Sequence, residues 1–486
     1  MDEPTQDQAV PRRPQPTHVV VLVIVGLLVL AAVFLGLQRW AGPGRSAVAT
    51  ALLQVQILAG PVPIVVNSLA VAAVVFLLFR RPSRRRILAA GVALIAGVSV
   101  ALIILWWVGS TNAFGVYIGK TITGWVIAAI VASALAVATF WSASWARKLG
   151  AAVSIILFVL AATLGINSYF GLDPTVADLA GISLQASIHL PPAGTPAADG
   201  AGSAPLALWK TWIPVAGMPT KGRTGSVRIP NTESHFVARP AGLYLPPAAL
   251  VANPPALPLV ILMMGQPGNP DPGLVAATLD RFAARHHGLA PIVIVADQIG
   301  NPLVDTLCLN SAKYGNVETY ITEDVVRWAR SHLHIQRGPS AWTIAGYSNG
   351  GECAAYFGAK YPGIWGNVID VSGEAYPGSD APGKAVAEVF NGNWSAYEKA
   401  WPVGILGSRR YPDSVGIFTV ASDDLPYRLQ AAAVARAAKS AHWKSIYFEV
   451  HDGGHGAVAL TGGLSEGFTV LYPSLGLAPA HGADGS

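Results

Sequence analysis

AWTIAGYSNGGECAAYFGAKYP, residues 341–362, reads as an apolar strand that breaks at Gly346-Tyr347-Ser348-Asn349-Gly350 and resumes as a helix ending ahead of Pro362. G-x-S-x-G between a strand and a helix is the sharp turn that lifts a nucleophilic serine above the carboxyl edge of a sheet. Its glycines follow from the tightness of the turn, since side chains beside the serine would strike neighbouring backbone. The helix behind Ser348 directs its first N–H groups toward negative charge developing at that oxygen.

Working outward, the runs PLVILMM, PIVIVA, AWTIAGYS, GNVIDVS, VGIFTVAS and SIYFEVH alternate with helical stretches at 318–335, 349–361 and 427–441. Near-continuous apolar strands separated by helices predict an α/β-hydrolase domain with a mostly parallel central sheet covered by helices. In such a domain the acid and the base follow the serine in that order. The strand SVGIFTVAS is followed by Asp423 and Asp424, and SIYFEVH by Asp452-Gly453-Gly454-His455-Gly456. His455, in a glycine-rich turn past the last strand, is the expected base; His451, within the strand, is the weaker candidate. Asp424 is preferred as the acid because it lies farther past the strand end. Asp423 is the alternative, with capping of the next helix as its other possible role.

An acyl-transfer site also needs donors for the tetrahedral oxygen. Asn349 supplies one backbone N–H, and the loop Gly265-Gln266-Pro267-Gly268, directly after PLVILMM, is placed to supply the second from Gln266. Asp297 and Asp305, near strand ends, are read as loop caps or pocket-lining residues.

Upstream of about residue 171 the chain changes character. Over 486 residues, 52% are hydrophobic and only 12% charged, too apolar for an ordinary soluble protein. Five stretches, roughly 19–37, 58–79, 87–107, 122–141 and 149–168, are long enough to span about 30 Å of hydrocarbon at about 1.5 Å per residue. The net charge of +5 is unevenly spread: residues 1–171 hold twelve basic and three acidic residues, and the rest hold twenty and twenty-four. The basicity thus belongs to the spans and their loops, which removes the main support for a nucleic-acid partner. Arg80, Arg81, Arg84, Arg85 and Arg86 mark a cytoplasmic loop. Alternating from there puts Arg12, Arg13, Arg147 and Lys148 on the same side. The N-terminus is then inside and everything after about residue 170 outside. No span carries an ionisable group at mid-depth, which argues against a transporter.

The expected organisation is a cytoplasmic tail at 1–18, a transmembrane bundle at 19–171, a Pro/Ala/Gly-rich linker at 172–205, the hydrolase domain at 206–480 and a tail at 481–486. The chain is thus an α-helical membrane bundle of about five spans followed by the hydrolase domain. Two cysteines, Cys308 and Cys353, are too few for a disulfide-built scaffold or a structural zinc site.

YFGLDPTVADL (169–179), MMGQPGNPDP (263–272), ADQ (296–298) followed by DTLCLNS (305–311), GNVETYITEDVVRWA (315–329), GYSNGGECA (346–354), DVSG (370–373) and GGHG (453–456) together resemble a known group. The second half is similar to the esterases grouped with esterase D and the actinobacterial mycolyltransferases, and within them to multi-span membrane esterases of actinobacteria. The resemblance implies acyl-ester chemistry without a metal or organic cofactor. It also implies a membrane-lipid or cell-envelope substrate, aminoacylated phosphatidylglycerol among the candidates. In that setting Cys308, in the loop before a helix, and Cys353, on the elbow helix, are expected to form a disulfide; the alternative is two inert buried thiols.

The expected function is therefore an extracytoplasmic serine esterase using Ser348, His455 and Asp424. An acyltransferase built on the same acyl-enzyme and a non-catalytic envelope module are the other two readings. The oligomeric state is not legible in the sequence.

Overall fold

The computed structural model describes residues 47–79, 83–111, 119–140, 144–188, 190, 204–302 and 304–480. The expected first span at 19–37 and the arginines at 12, 13, 39, 45, 80 and 81 lie outside the described residues, as do residues 189 and 191–203 of the linker. Two compact units part between residues 182 and 183.

In the first unit, four helices among the described residues are long and apolar enough to cross a membrane: α1 (Pro61–Leu78), α2 (Arg84–Thr111), α3 (Lys120–Thr139) and α4 (Trp145–Phe170). They are the make-up of a membrane protein, and they cover the four spans expected at 58–168. Their packing is the reverse of a water-soluble bundle. Small residues line the helix contacts, where Ala70, Ala73, Ala136, Ala151 and Ala161 are buried, while Ile64, Val92, Ile95, Ile103 and Leu149 point outward. Lipid is as apolar as leucine, so close backbone approach stabilises such contacts. Gly97 is one such point: a Cβ there would lie 3.0 Å from the Val131 Cα and 3.1 Å from the Ala134 Cβ.

The second unit is built on an eight-stranded sheet. Its strands are β1 (Arg223–Val227), β2 (Ala241–Leu245), β3 (Leu259–Met263), β4 (Ile292–Ala296), β5 (Trp342–Tyr347), β6 (Asn367–Val371), β7 (Val415–Ala421) and β8 (Lys444–Val450). Their spatial order is β1-β2-β4-β3-β5-β6-β7-β8, antiparallel at β1–β2 and β2–β4 and parallel elsewhere. Every residue of β2 through β6 is buried, as expected where helices cover both faces. The main covering helices are α5 (Gly273–Arg285), α6 (317–332), α7 (Asn349–Lys360), α8 (Leu425–Ser440) and α9 (Ala457–Ser474). Neighbouring residues of β6 show the two faces: Gly358 of α7 sits against Val368, and Gly467 of α9 against Ile369. On the α9 side, Phe282 of α5 packs against Phe468 and Tyr472.

The part of the linker that is described has structure of its own. Thr175 and Asp178 form a capping box on the short helix Val176–Leu179. Residues 185–188 pair along β1, with Ser226 N donating to the Ala186 carbonyl at 2.8 Å and Ile188 N to the Ser226 carbonyl at 3.1 Å. The run Gln185-Ala186-Ser187-Ile188 gives this short, irregular pairing no periodic signature, and it protects an edge that would otherwise present free backbone groups.

The strand order positions the site. After β3 the chain crosses to β4 on one side, and after β5 it crosses to β6 on the other. A crevice therefore opens between the carboxyl ends of β3 and β5.

Candidate active site

Register brings the chemistry-bearing loops to one edge. Met263 of β3 pairs with Gly346 of β5, Tyr347 with Val371 of β6, Val371 with Thr419 of β7, and Ala421 with Val450 of β8. The residues following each of these strand ends face a common space.

Ser348 occupies the turn with φ 56° and ψ −124°, a region that non-glycine residues enter only where surrounding structure enforces it. The enforcement is visible on both sides: Ser348 N donates to the Val371 carbonyl at 2.9 Å, and its carbonyl accepts from Gly351 N at 2.8 Å. A Cβ at Gly346 would lie 1.7 Å from the Gly350 oxygen, and one at Gly350 would lie 2.2 Å from the Met263 oxygen. Both glycines of the motif are therefore obligatory.

The structure brings Ser348, His455 and Asp424 together. His455 Nε2 lies 2.8 Å from Ser348 Oγ, and Nδ1 lies 2.7 Å from Asp424 Oδ2. A carboxylate at Asp424 accepts the Nδ1 hydrogen, which leaves the Nε2 lone pair facing the serine hydroxyl. Ser348 is 7% exposed and Asp424 4%. Asp424 stands at the N-cap position of α8 yet makes no side-chain cap, because its carboxylate is turned to His455. Asp423 is exposed, and its Oδ1 accepts from Gly454 N at 2.8 Å; it holds the loop that carries His455, not the ring. His451 is exposed beside Asp452.

Two tyrosines hold the imidazole. Tyr427 stacks on His455 at 4.0 Å between centroids and Tyr347 at 5.1 Å. Burial, and then the negative charge of Asp424, hold the Tyr347 phenol well above its ordinary pKa, so it stays neutral.

The loop expected to supply the second N–H donor abuts the serine: a Cβ on Gly265 would lie 3.0 Å from the Ser348 Cβ. Gly268 N closes the turn onto the Gly265 carbonyl at 2.7 Å, and the Gln266–Pro267 peptide is cis. Gln266 is half-buried, and its side chain donates to the Pro302 carbonyl at 3.3 Å. Arg239 grips the same loop by donating to Asn269 Oδ1 at 2.8 Å and to the Gly268 carbonyl at 3.0 Å. It is itself held by Asp297 at 2.7 Å. Asp297 thus braces the loop through Arg239. Asp305 Oδ1 accepts from Leu307 N at 2.8 Å and from Asn349 Nδ2 at 3.0 Å.

Cys308 and Cys353 are joined, with their Cα atoms 5.7 Å apart and 45 residues of separation. The bond ties the Asp305 loop to α7. With both sulfurs so engaged, the nearby Glu352 has no thiolate company that would hold a metal.

Buried carboxyl groups gather around this edge. Glu352 is 1% exposed, and neither of its oxygens has a hydrogen-bond partner among the described residues. Burial raises its pKa well above the ordinary carboxyl value, and the charges of Glu374, Asp305 and Asp370 add to the effect. Burial likewise pushes Glu374 up to about 8 and Asp370 up to about 7.

Arg239, Tyr427 and Glu374 were not singled out by sequence, and Gln298, Tyr347 and Glu352 entered only within quoted motifs, without a role of their own. The motif signals sit on the reacting residues and assign no role to the side chains that brace or stack on them.

Residues 238–458 match the model of the family described as "Putative esterase". A protein of Corynebacterium glutamicum, described as uncharacterized, is 32% identical over 204 residues, 40% of this chain and 48% of the relative. The chain thus spans about half the length of the curated relative it matches. Among solved structures, it is similar to an S-formylglutathione hydrolase from Agrobacterium tumefaciens (15% identity, TM-score 0.44, 54% of this chain and 100% of that one). It is also similar to a ferulic acid esterase (16%, 0.43, 52% and 99%). The matched stretch contains Ser348, Asp424 and His455.

Proposed function

We propose that this chain is a serine esterase held in the cytoplasmic membrane with its N-terminus inside and its catalytic domain outside, where it cleaves an acyl or aminoacyl ester of a membrane lipid or cell-envelope component. The observation that carries the chemistry is the unbroken chain Ser348 Oγ–His455 Nε2 at 2.8 Å and His455 Nδ1–Asp424 Oδ2 at 2.7 Å. Ser348 Oγ attacks the ester carbonyl carbon while its proton passes to His455 Nε2. The carbonyl oxygen takes the negative charge and is met by the backbone N–H groups of Asn349 and Gln266. Collapse expels the alcohol, which takes the proton from His455, and water activated by the same imidazole hydrolyses the acyl-enzyme. Asp424 fixes the imidazole tautomer throughout.

The choice of a lipid or envelope ester rests on the spans: four helices of membrane-crossing length are more than a soluble substrate requires. The basic residues beside the spans, Arg84, Arg85, Arg86, Arg147 and Lys148, support the orientation.

One experiment in intact cells addresses both parts. A membrane-impermeant fluorophosphonate labels the wild-type chain from outside and leaves Ser348→Ala unlabelled, and the lipid extracts of the two strains differ in an ester-bearing species. Labelling that appears only after lysis would reverse the orientation, and identical lipid profiles would remove the substrate class.

A further inference from the structure

Gln298 lies in the loop after β4, 2% exposed, and it has no part in the steps above. Its side-chain nitrogen carries two hydrogens and spends both on the site. One goes to the Met264 carbonyl and the other to Asn349 Oδ1 at 3.1 Å. These two acceptors sit on the two segments that supply the oxyanion donors. Met264 opens the loop that leads to Gln266, and Asn349 directly follows the serine.

The rest of the network leaves Gln298 one arrangement. Asn349 Nδ2 donates to Asp305 Oδ1 at 3.0 Å, so the Asn349 amide cannot be turned over without setting nitrogen against nitrogen and oxygen against oxygen. The Gln298 carbonyl is held in turn by Thr306 Oγ1, which donates to it at 2.7 Å. Thr306 and Asp305 belong to the loop that Cys308 fastens to α7. A single amide therefore bridges the β3 loop and the nucleophile turn, and its own backbone is anchored from the far side.

We propose that Gln298 is a positioning residue that sets the separation of the two oxyanion donors, an inference that rests on reading Ser348 as the nucleophile. Those donors act only when aimed at where the charge appears, and displacement by about 1 Å costs on the order of 100-fold in rate. Because Gln298 reaches the oxyanion only through the groups it holds, its removal weakens transition-state stabilisation and leaves ground-state binding of the ester in place.

The test uses the full chain in detergent, with p-nitrophenyl butyrate and the matching thionoester, in which sulfur replaces the carbonyl oxygen. Rates are normalised to serines titrated by a fluorophosphonate, so that a loss of folded protein does not count as a loss of rate. Gln298→Met keeps the length of the side chain and removes both donors. It is expected to lower kcat by about 10- to 100-fold with KM within about threefold, and to shrink the oxoester-to-thionoester rate ratio by about tenfold. Gln298→Glu, which turns acceptors on two acceptors, is expected to lose more. Thr306→Val, which frees the Gln298 backbone, carries the same test more gently, with a loss of about 3- to 10-fold in kcat and a ratio moving the same way.

A kcat per titrated serine and an ester ratio equal to wild type, in whichever of these variants folds, would overturn the proposal, as would a loss confined to KM. Ser348→Ala separates the two levels of inference: ester turnover that survives in it defeats the nucleophile reading and the role of Gln298 with it.

Discussion

Adjacent aspartates divide two jobs that sequence alone left open. The strand exit at Ala421 turns the chain so that Asp424 enters the site while Asp423 stays at the surface and holds Gly454. Asp424→Asn leaves the shape and removes the carboxylate that fixes the His455 tautomer. It is expected to lower kcat by about 100- to 10,000-fold, while Asp423→Asn, which still offers an oxygen to Gly454, changes kcat by less than about fivefold. Steady-state kinetics on the two purified variants checks this, and equal losses would undo the assignment. The serine and the histidine were legible because each is framed by glycines in a motif. The choice of acid was not, since two identical side chains one residue apart differ only in the direction the backbone gives them.

At the level of elements, the strands and spans could be read because burial on both faces, or in lipid, demands unbroken apolar runs. Helix α7 was expected at 349–361 and runs Asn349–Lys360; the helix expected at 318–335 closes at His332, where Leu333 turns extended. Less was legible where polar side chains bridge distant segments. Arg239 meets Asp297 across 58 residues, and Gln298 meets Asn349 across 51; no local pattern encodes either contact. The bond between Cys308 and Cys353 is the covalent counterpart of such a bridge, closing a loop of 45 residues. Replacing both cysteines by serine is expected to cost about 2–4 kcal/mol in stability. Denaturant titration of the full chain in detergent measures it. A transition unmoved by the double replacement would mean that the loop is held by its noncovalent contacts alone.

For the whole molecule, the buried acids give stability a pH dependence. Glu374 goes from an ordinary 4.5 up to about 8, and Asp370 from 3.8 up to about 7, chiefly through burial. An acid whose pKa is raised on folding contributes stability that is fully present below its unfolded value and is lost as pH rises through its folded value. The stabilising contribution of Glu374 should therefore fade between about pH 4.5 and 8. Glu374→Gln keeps an oxygen for Ser379 and removes the titration. The melting temperature of this variant relative to wild type is expected to climb by about 2–6 °C from pH 5 to pH 8.5. A constant difference across that range would show that Glu374 is not neutral in the folded protein.

The strand order carries one consequence for biosynthesis. Ser348 precedes His455 by 107 residues, because the nucleophile sits on a central strand and the base follows the strand at the sheet's edge. A growing chain therefore displays its serine long before the imidazole that would activate it, and a chain stopped anywhere in between carries an unarmed hydroxyl. Through most of its synthesis the chain lacks the means to attack an ester.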